Sequence, residues 1–209
     1  MATVTTSRRT TPSLRTLAGI AFIVGGGLLA LAALLQLPGS PVADGAQWVS
    51  FLADLAIAAG FALLAFEVVN FPARIALIVA AAGWLLFAVG EVAGLPGELG
   101  TVAAIAAAGG GLVSAILLRS DGLFGVRTSL VFLVATAIFA VLVFFQILGV
   151  DLQGVGLLLT LLFAAGLIVT GVLLVQPSRR IGEGRPVADG RRVDDRRVND
   201  RPIDDRPVV

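Results

Sequence analysis

Asp54 is the residue whose type and position most need a chemical explanation. It stands about seven residues into the apolar run 47–69, within Trp48-Val-Ser-Phe-Leu-Ala-Asp54-Leu-Ala-Ile57. If that run is a helix, the carboxyl group lies roughly 10 Å below the helix end, at about 1.5 Å per residue. A carboxylate at membrane depth is costly, and such groups usually face a bundle interior or a water-filled cavity. Two readings follow: a proton or cation site, or a buried polar group bonded to Ser50 one turn earlier. Glu67, near the other end of the same run, reads as half of an interfacial ion pair with Arg74. Gln36, Glu91 and Gln146 are evenly spaced, since 91 − 36 = 55 and 146 − 91 = 55, and each lies near the end of an odd-numbered apolar run. On a symmetric bundle they would form a polar ring, either the mouth of a pore or a set of interfacial anchors.

The inventory excludes much other chemistry. The chain has no Cys and no His, so His/Cys zinc sites, thiol nucleophiles and Ser–His pairs are ruled out. An intramembrane aspartyl protease needs two embedded Asp residues, and Asp54 alone qualifies. No enzymatic activity, cofactor or metal is therefore expected. A formal net charge of +1 gives no electrostatic reason for a nucleic-acid partner. The runs Gly25-Gly26-Gly27 and Gly109-Gly110-Gly111 are not phosphate loops, because no strand precedes them and no Lys follows. Inside helices they read as sites of close packing, with a hinge as the alternative.

These residues need elements to hold them. Hydrophobic residues make up 57% of the chain and charged residues 14%, against about 45–50% and about 25% in soluble domains. The charges also cluster, with nine of 15 Arg and seven of 14 acids lying after Gln176. Six runs are long enough to span a bilayer, at 17–37, 47–69, 73–93, 99–118, 128–149 and 154–176. In lipid each must satisfy its own backbone hydrogen bonds, so each is expected to be helical. Short connections rich in Pro and Gly, such as Pro38-Gly39-Ser40-Pro41 and Asn70-Phe71-Pro72, place successive helices side by side and antiparallel. The expected fold is all-α: a polytopic transmembrane bundle of six spans in three tandem hairpins, between disordered termini. Residues 1–16 form the N-terminal segment, 17–176 the membrane domain and 177–209 the tail.

Orientation follows from Arg. Arg8, Arg9 and Arg15 precede the first span, Arg74 lies between the second and third, Arg119 and Arg127 flank the fourth connection, and Arg179 and Arg180 follow the sixth span. The other three connections carry Asp44, Glu98 and Asp151 but no Arg. The positive-inside rule then puts both termini in the cytoplasm. A plasma-membrane, multi-pass location is expected. The use of Arg alone as the basic residue points to a bacterial source. The first run exceeds the length of a signal-peptide core and reads as an anchor. Trp48 suits the outer headgroup belt, and Trp84 reads as packing. The tail carries a five-residue near-repeat (RRVDD, RRVND, RPIDD), too polar and Pro-rich to fold alone. It reads as a docking tail for a cytoplasmic protein or as solvated chain. Membrane lipid is the other expected partner, and an oligomer is open.

The offset of 55 also relates Gly39, Gly94 and Gly149, and Val24, Val79 and Val134. The fourth and sixth runs align at 56, as GLVSAILL (111–118) and LIVTGVLL (167–174). By the offset of 55, the counterparts of Asp54 are Gly109 and Ala164. A triplicated two-helix plan over residues 17–176 resembles the small HdeD-type acid-resistance membrane proteins. That resemblance lies in architecture and carries no site residue. It implies a structural or stress-related membrane protein acting through helix packing and its tail. The residues also support a second expectation, a small transporter or channel using Asp54.

Overall fold

A computed structural model describes residues 13–37, 43–94, 96–120, 124–150, 152 and 154–176. Among them are six α-helices and no strand: α1 Leu14–Leu35, α2 Ala43–Glu67, α3 Phe71–Ala93, α4 Gly97–Ser120, α5 Val126–Ile147 and α6 Val155–Val175. Each is long and apolar enough to cross a bilayer, which makes the chain a multi-pass membrane protein. Residues 1–12 and 177–209, where disordered termini were expected, lie outside the described residues.

Capping sets the helix starts. α1 begins three residues before the expected position 17, because the Ser13 hydroxyl accepts the Thr16 N–H at 3.2 Å and satisfies a donor of the first turn. Residues 14–16 thus join the helix although Arg15 and Thr16 are polar. α3 is capped in the same way, the Asn70 side chain accepting the Ala73 N–H at 3.5 Å, with Pro in the first turn. α3 stops at Gly94, whose φ of +67° favours a residue without a Cβ.

The helices form a ring in chain order. Each packs on its sequence neighbours, and α1 on α6 closes the circle. One end carries the described Arg residues (Arg15, Arg74, Arg119 and Arg127), and the opposite end carries none.

Burial recurs around this ring with fixed offsets. On the odd helices Ala18, Ala73 and Thr128 are buried, as are Phe22, Leu77 and Phe132, and Gly25, Ala80 and Ala135, each set spaced by 55. Ile20, Ile75 and Leu130 turn outward at the same spacing, as do Val24, Val79 and Val134. The even helices follow another register. Ile57, Phe61, Leu64 and Ala65 of α2 match Ala107, Gly111, Ser114 and Ala115 of α4 at 50. Those four match Phe163, Leu167, Thr170 and Gly171 of α6 at 56.

The middle of the ring holds two aromatic groups. Nearer the Arg-bearing end, Phe22 meets Phe61 edge-on at 5.3 Å, and Phe132 lies 6.0 and 5.8 Å from them. Nearer the other end, Trp84, Phe139 and Phe163 stack, with centroids 4.8–5.7 Å apart.

Small residues let the helix backbones touch. A Cβ on Gly26 would sit 2.7 Å from the Ala164 carbonyl oxygen, and one on Gly110 would sit 2.6 Å from the Ala80 nitrogen. Such contacts are the packing expected of membrane interfaces, where apolar side chains gain nothing over lipid. Not every residue of the glycine runs shares this role: Gly27 and Gly109 have open space where a Cβ would go.

Candidate functional site

Asp54 is 5% exposed. It faces a cavity of about 930 Å³ set into the Arg-free half of the ring. Its position follows from α2, whose apolar window begins at Gly45, so the carboxyl group lies roughly 13 Å along the axis from that point. Among the described residues no hydrogen bond or ion pair reaches the Asp54 carboxylate. The expected bond to Ser50 is not made, although Ser50 is buried and lines the same cavity.

The three residues spaced by 55 converge here. Gln36 at the end of α1, Glu91 near the end of α3 and Gln146 near the end of α5 all line the cavity and form its polar mouth. Thr160 adds a hydroxyl from α6, donating to the Gly156 carbonyl at 2.9 Å. The floor is the stacked Trp84–Phe139–Phe163 group. Below it, Phe22, Phe61 and Phe132 fill the ring, so the cavity ends at mid-depth. Among the described residues no Arg lines the cavity, whereas two carboxyl groups do.

Glu67 lies elsewhere. Its Oε1 accepts the backbone N–H of Arg15 at 3.1 Å, in the first turn of α1. The expected partner Arg74 instead places its guanidinium 6.0 Å from the Phe66 ring centroid. The reason is electrostatic: the start of α1 presents unpaired N–H groups and the positive end of a helix dipole. A carboxylate there joins the two helices at the Arg-bearing end. Nearby, the Arg15 guanidinium lies 5.7 Å from the Phe124 ring centroid.

The structure also corrects the register read for the even helices. By burial register the counterparts of Asp54 are Ala104 and Thr160, since 104 − 54 = 50 and 160 − 104 = 56, rather than Gly109 and Ala164. The even helices keep their own spacing because the connections within the hairpins differ in length. Trp84 does pack, as expected, but it is also cavity floor. Thr160, Phe139 and Phe163 were not picked out from the sequence. Lone Thr and Phe residues in apolar runs carry no signal unless the even-helix register is known. Trp48, 53% exposed and edge-on to Phe51 at 6.1 Å, sits near the Arg-free end of α2 on the outside of the ring.

Among the described residues no group of His, Cys, Asp and Glu is placed to hold a metal ion. Comparison with models of protein families, with curated proteins and with solved structures finds no match to this chain.

Proposed function

We propose that the protein is a small, non-enzymatic membrane transporter that takes up a proton or cation at Asp54. The observation that carries this reading is a deeply set carboxylate with no partner among the described residues, facing a cavity that ends inside the membrane domain. A purely structural role leaves that arrangement unexplained. Retaining a charged Asp at the centre of a span costs about 2.5–3.5 kcal/mol on insertion scales, and no hydrogen bond from the described residues offsets it.

Sidedness follows from Arg. With the Arg-bearing end in the cytoplasm, the cavity opens to the outside. Two aromatic groups close the path beyond Asp54, so transport requires them to part. This favours a carrier over a permanently open channel.

The test is proton and cation flux into liposomes containing wild type or Asp54→Asn. Asparagine keeps the size and hydrogen-bonding capacity of Asp but removes its charge. Wild type is expected to carry flux, and the folded variant is expected to lose it. Folded wild type without flux across a range of pH and cations overturns the transporter reading. Equal flux from both proteins removes Asp54 from it.

A further inference from the structure

The cavity is larger and more apolar than a proton or a bare metal cation needs. Ligand pockets for drug-sized molecules run about 300–1,000 Å³, lined mainly by apolar and aromatic groups with a few placed polar ones. At about 930 Å³, this cavity has that composition. Its acids are Asp54, deep on one wall, and Glu91, at the mouth. Its aromatic groups are Trp84, Phe87, Phe139 and Phe163. Aromatic rings attract cations through their negative faces, and the effect grows where water is excluded. A carboxylate with no partner among the described residues, lining the same cavity as such rings, suits a positive charge attached to apolar bulk.

Two smaller spaces adjoin the cavity. A second space of about 460 Å³ between α5 and α6 shares Leu142, Gln146, Gly156 and Thr160 with it. A third, of about 210 Å³ between α4 and α5, shares Phe87 and Gln146. The cavity is thus flanked by gaps on both sides of α5.

We infer that the cavity binds an amphiphilic organic cation, its charge at Asp54 and its apolar part on the aromatic floor. This rests on the transporter reading for its site but not for its test, which measures binding alone. The probe is tetraphenylphosphonium, with tetraphenylborate as a control of similar shape and opposite charge. The chain has two Trp residues, so a Trp48→Phe background leaves Trp84 as the reporter in protein held in lipid nanodiscs.

Saturable quenching of Trp84 by the phosphonium, and none by the borate, is expected. Asp54→Asn should weaken binding about tenfold or more, as for loss of a charged partner. Phe139→Leu, at a half-buried position, should weaken it about fivefold in folded protein. Equal response to both probes overturns the inference, because it reports apolar partition alone. So does undiminished binding by folded Asp54→Asn. If folded wild type ignores the phosphonium yet carries Asp54-dependent proton flux, the inference fails and the transporter reading stands. If the phosphonium binds through Asp54 but nothing is carried, the inference stands and the transporter reading fails.

Discussion

Asp54 shows how a single residue can be costly and still be retained. Its carboxylate lacks a protein partner among the described residues, so removing it leaves no orphaned donor behind. Asp54→Leu is therefore expected to be neutral or to stabilise the fold by up to about 4 kcal/mol, as when buried charged groups give way to apolar side chains of similar volume. Thermal unfolding in detergent reads this directly. A lower melting temperature for Asp54→Leu would mean that the carboxylate holds the fold together, and the binding role would lose its main support. Glu67 is the opposite case. It is an acid with a defined partner, the Arg15 N–H, and it ties the start of α1 to the end of α2.

At the scale of the helix, packing is decided by which face a glycine occupies. Gly109 and Gly110 are chain neighbours in α4, yet a Cβ on Gly109 meets open space whereas one on Gly110 meets the backbone of α3. Backbone cannot yield as a side-chain end can. Gly110→Ala is expected to destabilise by about 1–3 kcal/mol, through forced separation of the helices. Gly109→Ala should be neutral, or stabilising by up to about 1 kcal/mol, because it removes a flexible residue from a helix interior. Melting temperatures of the two variants make the comparison. A larger loss for Gly109→Ala would place α4 in the ring the other way round. α5 differs from the other helices in carrying fewer buried positions, and the gaps beside its Arg-free half follow from that.

For the whole molecule, the ring has two unlike ends, and their sidedness can be tested simply because the chain contains no Cys. Val150 lies exposed at the Arg-free end and Val126 exposed at the Arg-bearing end. With Val150→Cys, a membrane-impermeant maleimide should label intact cells. With Val126→Cys, it should label only after the membrane is opened. The reverse pattern would turn the cavity toward the cytoplasm.

The sequence alone determined the six helices, their antiparallel order and the asymmetry between the two ends. These depend on local quantities: runs of apolar residues long enough to span, breakers between them, and Arg placement. It also marked Asp54, because a charge inside an apolar run stands out without knowledge of its neighbours. The spacing of Gln36, Glu91 and Gln146 was legible for the same reason. Only the tertiary structure decided that these residues face one cavity, that Trp84, Phe139 and Phe163 form its floor, and that Glu67 meets Arg15 rather than Arg74. The physical reason is rotation about the helix axis. In lipid an apolar face can point inward or outward at similar cost, so hydropathy does not fix which way a helix turns. That choice is made by close backbone contacts between helices, of Gly26 with Ala164 across α1 and α6 and of Gly110 with Ala80 across α3 and α4.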